Sequence, residues 1–361
     1  MLNKLNSNFK NFKNKKVLIT GHTGLKGSWL CLWLHILNAK ILGISNSHRD
    51  KDSNYKLFNL NNKIIDKNFD IRNYDILKNT IRKFKPDYIF HLAAQALVKE
   101  SYQNPKDTWG SNTIGTINIL ESLRELNQKC TVVMITSDKV YKNLEIKRGY
   151  TEKDILGGND PYSASKASAD IAINSYSKSF YLNKKIKVAI ARAGNVVGGG
   201  DWSDNRLIPD CAKFTLKGKK VIIRNPNSTR PWQHVLDILN GYLTLANALN
   251  RKNKIAGQAF NFGPEGKGIK VIEIVKKMKQ SWGKIDFKII KKSKFKEAKL
   301  LKLNINKAKK ILKWKCVLNT NLLIKLTADW YLNYSKKKKT IEKISTDQII
   351  FFETLKWKKN P

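Results

Sequence analysis

The strongest constraint on this chain's fold lies near its N-terminus, where a β-rich run, a glycine turn and an apolar helical pattern follow one another without a gap. Lys16-Val17-Leu18-Ile19-Thr20 is the run, Gly21-His22-Thr23-Gly24-Leu25-Lys26-Gly27 is the turn, and the helical pattern extends from Leu25 to about Leu37. Glycines at this spacing make a tight turn, let backbone approach a pyrophosphate and allow close helix–sheet packing. The helix start adds aligned N–H groups and the positive end of its dipole. Such a glycine pattern is weak alone, but the strand–turn–helix context makes it a dinucleotide-binding signal. Gly21, Thr23, Gly24, Leu25, Lys26 and Gly27 are therefore cofactor-binding candidates.

The rest of the N-terminal two-thirds repeats the alternation. Strands are expected at 41–44, 88–91, 131–135 and 187–191, with helical stretches near 75–84, 112–126 and 162–180 between them. That order predicts an α/β fold, a doubly wound parallel Rossmann sheet. From about residue 200 the pattern turns irregular, with a short strand at 221–223 and helices at 235–249 and 271–281. It reads as a smaller C-terminal substrate-binding lobe closing over the carboxyl ends of the strands. The division expected is 1–192, plus part of 230–265, for the cofactor domain and mainly 193–335 for the lobe, leaving 336–361 as a lysine-rich segment. Lys336–Lys339 reads as solvated tail, and 1–15 as an arm or short helix.

At the end of the second strand, Ser45-Asn46-Ser47-His48-Arg49-Asp50 lacks a carboxylate at the usual ribose-binding place, and Arg49 is placed to meet a 2′-phosphate. NAD versus NADP is therefore left open locally. Asp70 and Ile71 follow an extended stretch and are candidates for the adenine, while Leu92, Ala93 and Ala94 provide small residues where a cofactor crosses the sheet edge.

The formal net charge of +41 invites a nucleic-acid reading, but its makeup argues otherwise. Of 69 basic residues only 10 are arginines, and the lysines spread along the whole chain. Phosphate readers favour arginine forks in a local patch. No specific nucleic-acid partner is expected. Arg192, Arg206, Arg224 and Arg230 do cluster, within 39 residues, and are expected to mark sites needing a bidentate fork, such as a diphosphate. No stretch approaches the roughly 18–20 apolar residues that span a bilayer, and the best, Trp29 to Leu37, reads as a buried helix. Four scattered cysteines without a CxxC pair suggest a reducing, cytoplasmic setting and no metal site.

Tyr162-Ser163-Ala164-Ser165-Lys166 places a phenol and an ammonium one turn apart on a helix face. The ammonium is expected to lower the phenol's pKa so that it acts as a base toward a sugar hydroxyl, and the lysine can hold a nicotinamide ribose. Thr136-Ser137-Asp138-Lys139 ends the preceding strand. Ser137 would complete a Ser–Tyr–Lys set, and Asp138 and Lys139 add an acid and a candidate base side by side. Simple oxidation or epimerisation does not need that second pair; a dehydration does.

These motifs carry a family resemblance. Behind a glycine turn, the Tyr162–Lys166 pair is specific for extended short-chain dehydrogenases/reductases. Within them the chain resembles the CDP-glucose 4,6-dehydratases over roughly residues 14 to 330. The resemblance rests on Thr20 to Leu30, Thr136 to Lys139, Gly157 to Ser163, Arg192 to Trp202, Arg206 to Asp210 and Arg230 to Val235. It implies tightly held NAD, CDP-glucose as substrate, a role in deoxysugar and surface-polysaccharide (O-antigen) biosynthesis, and a homodimer built on the Tyr–Lys helix. It also implies Asn112 and Thr136 at the cofactor, and Asn195, Arg206, Leu207, Arg224, Arg230 and Trp232 at the substrate. Asp138 would be the acid for the departing hydroxyl and Lys139 the base at C5; alternatively Lys139 grips phosphate or orients Asp138. A different nucleotide-sugar dehydratase or epimerase is the competing activity, and a catalytically dead NAD(H)-sensing protein the competing class.

Overall fold

The computed structural model describes residues 8–46, 50–181, 185–204, 206–251, 253–266, 268–290, 301–336 and 341–359. Arg49 lies outside the described residues, as do 337–339 of the expected tail.

Alternation of apolar residues along each run builds the sheet. Strands β1 (Lys16–Thr20), β2 (Lys40–Ile44), β3 (Ile65–Lys67), β4 (Tyr88–His91), β5 (Cys130–Ile135) and β6 (Ile186–Ala193) are all parallel to their neighbours. Val17 and Ile19 enter one core with Phe90, Val133 and Ala189, while Leu18 enters another with Ile89, Val132 and Val188. Both faces of β1, β4, β5 and β6 are thus buried, as the centre of a parallel sheet requires, while the edge strand β3 is largely exposed. Three two-residue or three-residue pairs stand apart from it: β7 (Val196–Val197) with β10 (Gln233–His234), β8 (Val221–Ile223) with β13 (Phe287–Ile289), and β9 (Thr229–Arg230) with β12 (Ile269–Lys270). The late strand β11 (Ala259–Phe262) returns to pair with β6, so the main sheet has seven strands ordered β3-β2-β1-β4-β5-β6-β11. The order reverses between β1 and β4, and a crevice opens there at the strands' carboxyl ends.

Helices cover both faces. On one side pack α3 (Tyr74–Phe84), α6 (Gly115–Arg124) and α7 (Pro161–Tyr176), through Leu77, Ile81, Ile119, Leu123 and Ile173. On the other pack α1 (Leu25–Ile36) and α9 (Val235–Arg251), over which lie α11 (Thr320–Lys336) and α12 (Ile341–Lys359). The shorter helices are α2 (Asn54–Leu57), α4 (Val98–Gln103), α5 (Pro105–Trp109), α8 (Leu207–Leu216) and α10 (Val271–Trp282). A π-turn at Gly110–Ile114 joins α5 to α6, so the stretch expected to begin near 112 is helical from 105.

The helix α1 is buried all round, from Trp29 to Leu34, because α12 covers its outer side. Phe352 meets Trp33 edge-on at 5.7 Å, and the Lys356 ammonium lies 4.1 Å from the Phe9 ring centre. One side of the C-terminal segment, expected only to be lysine-rich, therefore joins the core through Ile341, Ile349 and Phe352. The loop after β6 is locked in the same way. The Trp29 indole and the Asn54 amide both donate to Gly199 O, at 3.0 Å each, and a Cβ on Gly199 would lie 1.9 Å from the Trp330 ring.

Candidate active site

Four strand ends converge on the crevice. After β1, Gly21 takes φ +72°, and a Cβ on it would lie 2.8 Å from Ala93 N; a Cβ on Gly27 would lie 2.2 Å from Gly21 O. Only glycine permits both approaches. The turn is thus pressed against the loop after β4, where Ala93 N donates to Thr20 Oγ1 at 3.1 Å. Where a ribose-binding acid is usual, Ser45 and Thr23 share a hydrogen bond of 2.8 Å. The cradle of glycine backbone at the start of α1 fits a dinucleotide's pyrophosphate.

The helix α7 starts on Asp160, whose carboxylate accepts from Ser163 N (2.9 Å) and Ser163 Oγ (2.6 Å), with Pro161 in the first turn. This cap sets the rotation of the helix, so Tyr162 and Lys166 share one face. Both are buried. The Ser137 hydroxyl donates to Asp138 Oδ1 at 3.0 Å and lies near enough to the Tyr162 phenol to pull its pKa down. Ser137, Asp138, Tyr162 and Lys166 therefore form one cluster. Gly194 lets β6 close in, since a Cβ there would lie 3.0 Å from Asp138 Oδ2. Lys139 is half-buried beside them, its amide donating to Ser137 Oγ at 3.2 Å.

Cations crowd this crevice. Burial, then the neighbouring Lys26, brings Lys166 down to about 7. Lys26 itself falls to about 8 through burial and Arg206, against the pull of Asp138. Lys26 entered the sequence reading for its backbone alone; its side chain reaches the acid. Burial also raises Asp138 above the carboxylate range, opposed by Lys139 and the Ser137 hydrogen bond. The expected lowering of the Tyr162 phenol is corrected: burial raises it, outweighing Ser137 and Arg206.

Several of the expected site residues have partners within the protein. The Arg192 fork is no diphosphate clamp: it grips Asp170 (Nη2–Oδ1 2.6 Å, Nε–Oδ2 2.8 Å) and donates to Tyr141 Oη at 2.9 Å, all buried. Thr136 donates to the same Asp170 Oδ2 at 3.0 Å, so its hydroxyl faces this ion pair. Asn112 braces the wall: it accepts from Gln95 N at 2.9 Å and donates to Ser165 Oγ at 2.9 Å, tying the β4 loop to α7. Asp70 is gripped by Arg72 and Asn46, and Ile71 packs in the core against α6.

The arginines expected at the substrate lie on the lobe side. Arg206 precedes α8, pairs with the buried Asp201 at 3.3 Å, and is an electrostatic neighbour of Lys26 and Tyr162. Leu207 opens α8, and Asn195 is exposed just after β6. Arg224 is exposed after β8, while Arg230 and Trp232 line a cavity of about 100 Å³ with Pro264, Glu265 and Ile269. Asp201, Asp170 and Asp160 were missed on sequence; only Asp160, before a proline and ahead of the Tyr–Lys helix, carries a local signal.

Comparison with known proteins agrees with this geometry. The family model described as GDP-mannose 4,6 dehydratase matches residues 18–327. A CDP-glucose 4,6-dehydratase of Salmonella typhimurium is 41% identical over 84% of this chain and 87% of its own. A CDP-paratose 2-epimerase of Salmonella typhi is 30% identical, over 69% and 78%. Among solved structures, a dTDP-glucose 4,6-dehydratase from Bacillus anthracis in complex with NAD shares the fold with a TM-score of 0.74, at 23% identity, covering 91% of this chain and 99% of that one.

Two buried imidazoles give the fold a pH signature. His91, hydrogen-bonded to Thr20 (2.7 Å) and Thr116 (3.1 Å), and His234 are both pushed by burial down to about 3. An unfolded chain protonates these groups near 6.5. The folded state thus binds fewer protons between those values, and its stability falls as pH drops from about 6.5 toward 3, by up to about 1.4 kcal/mol per pH unit for each group. Urea midpoints should therefore fall less steeply below pH 6.5 for His91→Asn than for the parent protein; parallel slopes would contradict a neutral His91.

Proposed function

Because this chain belongs to the GDP-mannose 4,6-dehydratase family, we propose that it is a hydro-lyase converting CDP-D-glucose to CDP-4-dehydro-6-deoxy-D-glucose and water. The observation that carries this reading is a buried carboxyl, Asp138, hydrogen-bonded to Ser137 beside Tyr162. An epimerase or simple dehydrogenase has no use for a second acid there. The choice of cytidine follows the 41% relative rather than a contact with the base.

The glycine turn from Gly21 to Gly27 and the loop from Leu92 to Ala94 would hold NAD, with Lys166 at the nicotinamide ribose. Bound there, NAD would supply the acceptor for hydride from C4 of the sugar and its donor to C6. Tyr162, supported by Ser137 and Lys166, takes the proton from the 4-OH. The resulting 4-ketone acidifies the C5 hydrogen, and Lys139 removes it. Asp138, whose hold on a proton burial strengthens, gives its proton to the departing 6-OH. Arg206, Arg224 and Arg230 together with Asn195 would pair the diphosphate, and Trp232 would wall the nucleotide. The product suits deoxysugar assembly for surface polysaccharides, in the cytoplasm. Among the described residues no helix is long and apolar enough to cross a membrane.

We also propose a homodimer through the outer side of α7. Ile171 on that helix and the nearby Trp109 and Ile114 are 56%, 40% and 50% exposed, an apolar group that a second copy would cover. Ile171→Glu should then sediment as monomer where the parent protein sediments as dimer.

Two measurements test the chemistry. Incubated with CDP-, dTDP-, GDP- and UDP-glucose or mannose, the protein should release a 4-keto-6-deoxy product from CDP-glucose alone, by mass spectrometry. Deuterium placed at C4 should reappear at C6 of the same molecule; label lost to solvent would exclude internal hydride return. Arg230→Ala should raise KM for CDP-glucose at least tenfold with a smaller change in kcat, and an unchanged KM would remove Arg230 from the diphosphate.

A further inference from the structure

The acid of this site lies against a residue with no side chain. Gly194 directly follows β6, and a Cβ placed on it would sit 3.0 Å from Asp138 Oδ2, 3.5 Å from its Cγ and 3.9 Å from its Cβ. The Asp138 side chain thus runs across the space into which any other residue would project. Backbone conformation does not call for glycine here, because φ at Gly194 lies outside the left-handed region that Gly21 and Gly200 occupy. What the position uses is the missing atom.

Neither partner can step back. Ahead of Gly194, Arg192 is held by its two-pronged bond to Asp170, and Thr136 N donates to Ala191 O at 3.0 Å. Behind it, Gln233 N donates to Asn195 O at 3.3 Å, and β7 begins at Val196. The backbone is therefore fastened on both sides. Asp138 is only 7% exposed, its Oδ1 accepts from Ser137 at 3.0 Å, and its own backbone lies in a 3-10 turn that Ser137 caps. A Cβ at 194 would have to push the carboxyl aside by a few tenths of an ångström, away from the geometry it now holds.

We propose that Gly194 is a positioning residue for the loss of water, its bare backbone leaving the room in which Asp138 meets the departing 6-OH; this rests on the dehydratase reading above. Oxidation at C4 does not draw on Asp138, because the 4-OH proton goes to Tyr162. A side chain at 194 therefore spares the first half of the cycle and slows the second. Misplacing a reacting group by about 1 Å costs roughly a hundredfold in rate, so a displacement of a few tenths is expected to cost about tenfold.

The two halves can be read separately. NAD-loaded Gly194→Ala mixed with CDP-glucose should form NADH, followed by its near-ultraviolet absorbance, at the parent's rate. It should then hold that NADH and release the 4-keto-6-deoxy product at least tenfold more slowly than the parent. Asp138→Asn removes the acid that the glycine serves, so adding Gly194→Ala to it should slow product release no further. Three results overturn the role while the dehydratase reading stands. They are equal slowing of NADH formation and product release, product release at the parent's rate, and the same fold-loss in the Asp138→Asn background as in the parent. A Gly194→Ala protein that does not fold, or no longer binds NAD, assigns the glycine to the fold and overturns the role as well. If the parent protein forms no 4-keto-6-deoxy product from any nucleotide sugar, the dehydratase reading itself fails, and the role of Gly194 fails with it.

Discussion

The buried fork between Arg192 and Asp170 holds the crevice in register. Asp170 stands on the same helix as Tyr162 and Lys166, two turns beyond the first and one beyond the second, and Arg192 stands on β6. Thr136 adds a third hand from β5, and Tyr141 passes the connection to Asn261 on β11 through a 2.7 Å hydrogen bond. The ion pair thus fixes the helix bearing the phenol against β6, and Thr136 ties the same carboxylate to the end of β5, just ahead of Ser137 and Asp138. A buried pair gains little net stability over apolar packing, but losing one partner leaves an uncompensated charge, at about 3–5 kcal/mol. Its value here is geometric. A slide of the helix by a fraction of its 5.4 Å pitch would part Tyr162 from Ser137.

Most of the sheet was legible because its signals are local. A strand buried on both faces must be apolar along its length, and β1, β4 and β5 announce themselves that way. The glycine turn needs its residue types at fixed places, and the tyrosine and lysine need one helical turn between them. What escaped is what depends on distant partners. Nothing in the sequence around Arg192 distinguishes a phosphate fork from a carboxylate fork; Asp170, twenty-two residues earlier, decides it. The strands β3 and β11 are short edges whose pairing comes from β2 and β6. The lysine-rich C-terminal segment reads as tail because α12 has no clean apolar stripe, yet Ile341, Ile349 and Phe352 are fully buried against the rest.

The electrostatics of the crevice make sense only with anions in it. Lys26, Lys166 and Arg206 are electrostatic neighbours across a site where Asp138 is itself biased toward its neutral form. Burial first, and then the neighbouring cations, lowers the proton affinity of the two lysines. Diphosphates brought by a cofactor and a nucleotide sugar would reverse that and raise both lysines again. The overall charge of +41 plays no part in this argument, since it is spread over the surface and the crevice holds three cations placed by three different elements.

The same reasoning separates two chemistries that share this fold. A phenol, a serine and a lysine at the nicotinamide suffice for an alcohol to be oxidised and reduced again, because the proton taken from the oxygen goes back to it. Loss of water breaks that symmetry: protonation of the leaving group draws on a different atom from the one that received the first proton. A dehydratase must therefore own a second acid. Asp138 meets that condition, buried beside Ser137 and hydrogen-bonded to it. An aspartate next to the serine just after β5 thus supplies the extra acid, which is why one neighbouring residue can set the reaction class apart on a common scaffold.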